Sequence, residues 1–146
     1  EYHKRRRLFL KLKDIGAEEL VWLARNRMDA RGYLVSPSFE DDVREALVAT
    51  GMASSFVAEL GLAPTTPVLD GYSIGRTAEE FEHDFFLVED TSGPCTVRYA
   101  KDLPASLEDM TEMPEPVVAA DLAMSVDARE RRCGLGYLEG LLDGMR

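Results

Sequence analysis

Residues 68–81, VLDGYSIGRTAEEF, mark the point where a helical pattern gives way to strands, and they decide the fold class. The first five of these residues form a short apolar run that predicts a strand. Thr77 and Glu80 then have the spacing of a capping box, in which each side chain accepts from the backbone amide of the other residue. They predict a short helix that ends near Asp84. The stretch therefore places a strand and a helix in direct succession.

The same stretch contains G-x-S-x-G, from Gly71 to Gly75, which surrounds the nucleophile in many serine hydrolases. Such a serine needs a base, and in these enzymes an acid and then a histidine follow it in the chain. His3 precedes Ser73, and His83 comes only ten residues later, at the end of a helix that leads away from it. We therefore expect the two glycines to serve a turn and Ser73 not to be a nucleophile.

The sequence before this stretch is dominated by helical periodicity. Apolar residues at the helical spacing predict helices over residues 17–31, 39–50 and 53–60. Residues 64–67, Pro-Thr-Thr-Pro, then interrupt the pattern. We expect one domain over residues 1–146, with a candidate subdomain break at 62–67.

The sequence after the break alternates between strand and helix patterns. Strands are predicted at about 67–72, 85–89 and 95–99, and the turn at 90–94 predicts that the last two pair as a hairpin. Helical patterns return at 116–124 and continue to about Asp143. The predicted fold class is α+β, with a helical N-terminal half, a small antiparallel sheet with a hairpin, and C-terminal helices that close the core.

Charge is distributed unevenly along the chain. The 146 residues carry a net charge of −10, which divides into +4 for residues 1–32 and −14 for the remainder. An acidic body repels nucleic acids and membrane surfaces at long range, so only the basic arm offers a contact for nucleic acid. The arm comprises Lys4, Arg5, Arg6, Arg7, Lys11 and Lys13.

Composition also restricts the class of protein. Hydrophobic residues make up 45% of the chain and charged residues 30%, which is a globular balance. No apolar run approaches the roughly 20 residues of a membrane span. Cys95 and Cys133 lie too far apart, without further cysteines, to predict a disulfide scaffold or a zinc site. We expect a cytoplasmic protein with free thiols.

The C-terminal helix carries a stripe of glycines. Gly136, Gly140 and Gly144 are spaced by four residues and share one side of the helix, next to a face formed by Leu138, Leu141 and Leu142. Each glycine costs about 1 kcal/mol in a helix interior. The stripe therefore predicts close contact with another helix, either of the same chain or of a second copy in a homodimer.

No phosphate loop, dinucleotide fingerprint or zinc spacing is present, so we expect no cofactor, no metal and no catalytic residue. Glu79 and Glu80 have the spacing to His83 that di-iron helices use, but those sites need a second copy of the pattern. The leading hypothesis is a non-enzymatic cytosolic interaction or regulatory domain, which binds a partner protein or itself through its acidic surface or the glycine stripe.

Two alternatives remain open. The first is a DNA-associated regulator that uses the basic arm and a helix-turn-helix-like pair at 39–60, although the second helix of that pair has no Lys or Arg. The second is a small enzyme with a carboxylate and histidine site near 70–84, in which Asp70 acts with Glu79, His83 or Asp84.

Overall fold

The computed structural model describes residues 16–26, 28–64, 66–101 and 103–145. The helices of these residues are α1 (Ala17–Arg25), α2 (Glu40–Ala46), α3 (Ala78–Asp84), α4 (Glu115–Ala123) and α5 (Ala128–Met145). The strands are β1 (Met28–Leu34), β2 (Leu47–Ala49), β3 (Leu69–Ser73), β4 (Val88–Glu89) and β5 (Cys95–Ala100). The α+β class predicted from the sequence is confirmed. The basic arm lies outside the described residues.

The five strands form one mixed sheet in the order β2-β3-β5-β1-β4. All neighbouring strands are antiparallel except β3 and β5, which are parallel, so the expectation of a purely antiparallel sheet is wrong for that pair. The predicted hairpin is also wrong, because β1 lies between β4 and β5 and Tyr33 is paired with Glu89 on one side and Cys95 on the other. The turn is anchored to β1 itself, since the Asp90 amide donates to the Gly32 carbonyl at 2.8 Å.

The N-terminal half is less helical than its periodicity indicates. The first predicted helix ends at Arg25, and the chain continues into β1, which pairs with β5 from Met28 to Tyr33. The second ends at Ala46 because the next three residues pair with β3. Residues 53–60 form no α-helix, and the 3₁₀ turns Gly51–Ala53 and Ser55–Ala58 occupy this segment. The helix-turn-helix-like pair at 39–60 is therefore a wrong prediction.

Helices cover both faces of the sheet. Tyr33, Val97 and Leu47 on one face pack with Val43 of α2 and Phe81 of α3. Helices α4 and α5 lie over the other face, where the core combines residues from before and after the predicted break at 62–67. These residues include Val48, Phe56, Val57, Leu62, Tyr72, Val118 and Leu122.

Helices α4 and α5 pack closely through one glycine. A Cβ on Gly134 would lie 2.4 Å from the Ala119 carbonyl oxygen and 2.6 Å from the Ala123 amide nitrogen. The predicted C-terminal helices are thus present and lie against the core. Neither they nor any other helix of the described residues has the length and apolar character needed to cross a bilayer.

Candidate functional site

A buried ionic cluster joins strands β3 and β5 to helix α4. Arg98 donates from Nε and Nη2 to the two carboxylate oxygens of Asp70, at 2.8 and 2.9 Å. Its third nitrogen, Nη1, lies 3.3 Å from Oδ1 of Asp121. Arg98 is 9% exposed and Asp121 is 3% exposed. Two carboxylates therefore share one largely buried guanidinium.

Asp121 is the most heavily bonded member of this cluster. The Thr50 hydroxyl donates to its Oδ2 at 2.6 Å, and the Tyr72 hydroxyl lies 3.0 Å from both carboxylate oxygens. Burial raises the pKa of Asp121, and Arg98, Thr50 and Tyr72 offset part of that rise. Burial likewise raises the pKa of Asp70 against the opposing effect of Arg98. A buried charge of this kind is costly unless it is paired, and here each carboxylate has a partner.

The sequence brings these groups together through the alternation of strands. Asp70 and Tyr72 are two residues apart on β3, so their side chains point to the same face of the sheet. Arg98 is the Cα partner of Tyr72 in the parallel pair and shares that face. Sequence reasoning missed Arg98 and Asp121. The available signal was the single charged residue, Asp121, in the otherwise apolar core of α4, because an isolated buried charge requires a partner.

The residues of the G-x-S-x-G motif and of the alternative carboxylate and histidine site do not come together in one site. Ser73 is buried in β3, and its hydroxyl donates to the Arg76 carbonyl at 3.1 Å. The His83 side chain is 90% exposed and lies 3.6 Å from Asp84. Asp70 contacts Arg98 rather than His83. Among the described residues, no group of three or more His, Cys, Asp or Glu side chains is arranged to hold a metal ion.

The glycine stripe of α5 has no neighbour within the described chain. Among the described residues, a Cβ on Gly136, Gly140 or Gly144 would meet nothing within 4 Å, so the described helices make no close contact with these glycines. Packing of the stripe within the chain stays a prediction. Leu138 and Leu142 are each 3% exposed and belong to the core, whereas Leu141 is exposed. A homodimer seam would therefore use the stripe and Leu141, and it stays a prediction.

An exposed apolar patch lies at one edge of the sheet, on the outer strand β4 and its neighbour β1. We define the β4 edge as Leu34, Phe86 and Val88, whose exposed fractions are 46%, 71% and 61%. Leu34 and Val88 are Cα partners in the β1–β4 pair, and Phe86 precedes β4 by two residues. The Phe86 ring packs on Phe39 with centroids 5.3 Å apart.

Acidic residues flank the β4 edge in the chain. Glu89 and Asp90 follow Val88, and Glu40, Asp41 and Asp42 follow Phe39 in the first turn of α2. Arg44 pairs with Asp41 at 2.8 Å. Within the part of the chain that the structure describes, Glu40, Asp42 and Glu89 form no ion pair. The β4 edge therefore combines apolar side chains with excess negative charge.

Comparisons with other proteins give no assignment for either feature. No protein-family model, curated protein or solved structure matches the chain.

Proposed function

We propose that the chain is a non-enzymatic, cytosolic interaction or regulatory domain that binds a basic segment of a partner protein at the β4 edge. The observation that carries this proposal is Phe86, an aromatic residue that is both largely exposed and held at a φ of 51°. It is the only described residue other than glycine with a positive φ.

This backbone conformation is unfavourable for a bulky side chain. A left-handed φ costs roughly 1–2 kcal/mol for an L-residue, and strain of this kind concentrates at functional sites. Exposure of the ring adds a second cost, because the free energy is lower when an aromatic surface is removed from water. The left-handed φ of Phe86 closes helix α3, since the Leu87 amide donates to the Glu82 carbonyl at 3.0 Å. The exposure of the ring that this turn presents is explained if a partner covers it.

Charge complementarity favours a basic partner. The carboxylates of Glu40, Asp42 and Glu89 lie next to the β4 edge in the chain and would repel a second acidic surface. A two-fold contact between the β4 edges of two copies would bring the same carboxylates against each other, which disfavours pairing of this edge with itself. Lys and Arg side chains on that partner would surround an apolar residue that contacts Phe86.

The length of the edge strand indicates that side chains contribute most of the binding. β4 contains only Val88 and Glu89, and short edge strands with a charged residue are a common protection against backbone pairing with another chain. We therefore expect an anchor of aromatic and aliphatic contacts, as in other interfaces with a few dominant residues.

The proposal is tested with short synthetic peptides that alternate Lys and Leu, labelled for fluorescence polarisation. Matched peptides with Glu in place of Lys control for apolar binding. We expect the Lys peptides to bind the full chain, to weaken as salt rises, and to lose about tenfold in affinity on Phe86→Ser. Val126→Ser removes an apolar residue that is 99% exposed elsewhere and should have no effect.

Two results would contradict the proposal. One is equal binding of Lys and Glu peptides, or binding of neither. The other is an equal loss of affinity in Phe86→Ser and Val126→Ser, since that would assign the effect to general exposed hydrophobicity rather than to the β4 edge.

A further inference from the structure

A cavity of about 660 Å³ lies over the uncovered part of the sheet face that also packs against α4. Its floor is formed by side chains of β1, β3 and β5, including Ala30, Asp70 and Arg98. The turn that begins at Gly51 and the ends of α1, α4 and α5 complete its walls. A volume of this size is within the range of small-molecule sites.

The charged groups that line the cavity are mostly acidic. Asp70 and Asp121 outnumber Arg98 in the buried cluster, and Asp29 and Glu130 outnumber Arg25 among the remaining lining residues. The lining therefore carries two more negative charges than positive ones. Asp29 is paired with Arg31 outside the lining, at 2.9 Å, so the unmatched charge is that of the buried cluster. Because this cluster is largely buried, its excess acts more strongly on a bound charge than it would at an open surface.

The positive charge of Arg98 is already matched by two carboxylates. Nε and Nη2 bind Asp70, and Nη1 faces Asp121 at 3.3 Å. An anionic ligand at a remaining N–H of Arg98 would be repelled by the carboxylates of Asp70 and Asp121. The excess negative charge instead favours a ligand that brings a positive charge.

The rest of the lining is apolar and adaptable. Met28, Met52 and Met124 contribute thioether side chains, and Val68 and Leu122 contribute branched aliphatic ones. Methionine is flexible and polarisable, and it packs against ligands of varied shape. The carboxylates therefore suit the head of a ligand, while the methionines suit an apolar body.

We infer that this cavity binds a small organic cation, an ammonium or amidinium group carried on an apolar body. The site does not include Leu34, Phe86 or Val88 and is independent of the proposed interaction at the β4 edge.

The probe is 2-phenylethylamine, compared with 2-phenylethanol and phenylacetate, which have similar bodies and no positive charge. Binding is followed by isothermal titration and by amide chemical shifts of Ala30, Gly51 and Thr96, which line the cavity. We expect the amine alone to bind and to shift these amides. Glu130→Gln should weaken it about two- to fivefold, as for loss of one partly exposed ion pair.

Glu45→Gln is the matched control, because Glu45 is exposed on α2 and is absent from the cavity lining. Equal binding of the amine and the alcohol, no binding of the amine, or equal effects of the two Gln variants would overturn the inference. Phe86→Ser should leave amine binding unchanged, so failure of the interaction proposal and failure of this one give different results.

Discussion

Gly51 lies so close to Asp70 that no residue with a side chain fits at position 51. A Cβ on Gly51 would stand 2.6 Å from Oδ2 of Asp70, and that carboxylate is held in place by Arg98. Gly51 also has a φ of 55°, which residues with a side chain rarely adopt. The turn after β2 therefore limits the positions that the Asp70 carboxylate can take, and the ionic cluster requires glycine at position 51.

Gly51→Ala should reduce the free energy of unfolding by about 2–4 kcal/mol, because it adds backbone strain and displaces the Asp70–Arg98 pair. Gly61→Ala is the matched control, since Gly61 has a φ of 76° and nothing within 4 Å of a Cβ. It should cost only the strain, about 1 kcal/mol. Urea unfolding of both variants measures the difference. Equal losses would show that the approach to Asp70 is unimportant.

Asp121 should give the protein a pH-dependent stability. Because burial raises its pKa, the folded protein holds the carboxyl proton more tightly than the unfolded chain does. The free energy of unfolding therefore falls as pH rises from about 4 through the raised pKa. Asp121→Asn cannot titrate, so its stability should improve relative to wild type as pH rises from acid to neutral. Urea unfolding at a series of pH values measures this.

Thr50→Val supplies a variant with the opposite expected sign. It keeps the shape of the side chain but removes the hydroxyl that donates to Asp121, and that hydrogen bond opposes the rise in pKa. Its stability should therefore fall more steeply with pH than that of the wild type. Parallel curves for all three proteins would show that Asp121 does not govern the pH dependence.

Local signals in the sequence predicted local structure well. The capping box is present, with Glu80 N donating to the Thr77 hydroxyl at 3.2 Å and Thr77 N donating to Glu80 at 3.3 Å. Its two partners lie three residues apart, so the pattern is visible in a short window. The positions of β3 and β5 follow equally from short apolar and alternating runs.

Pairings between distant residues could not be predicted in this way. Met28 continues the helical apolar face of α1 in the sequence, yet it starts β1 because β5, about seventy residues later, offers a ladder of hydrogen bonds. The ionic cluster has the same origin, since Thr50 and Asp121 are 71 residues apart. A single sequence contains no record of such contacts.

Two glycines of α5 should respond to alanine in opposite directions. Gly134→Ala places a methyl group against the Ala119 carbonyl and should cost about 1–3 kcal/mol, because α4 and α5 must separate. Gly140→Ala meets open space and should stabilise α5 by about 0.5–1 kcal/mol. Thermal unfolding compares the two variants.

Gly140→Ala also tests the homodimer prediction. Light scattering on the wild type and on Gly140→Ala gives the solution mass. If the wild type is a dimer that the variant loses while it remains folded, the glycine stripe forms the seam. If both are monomers and Gly140→Ala is the more stable protein, the stripe is an exposed helix face.

Strain at Phe86 can be separated from the contribution of its ring. Phe86→Gly and Phe86→Ala both remove the contact with Phe39, but only glycine adopts a φ of 51° without strain. The Gly variant should therefore be more stable than the Ala variant by about 1 kcal/mol in urea unfolding.

Val126 is the control position. It has no positive φ, so the Ala variant should be the more stable one there, because glycine is the more flexible residue in the unfolded chain. Both Phe86 variants should lose about tenfold in affinity for the Lys peptides, as expected for Phe86→Ser. A Gly variant that is less stable than the Ala variant would remove the argument from strain and leave the β4 edge supported by exposure and charge alone.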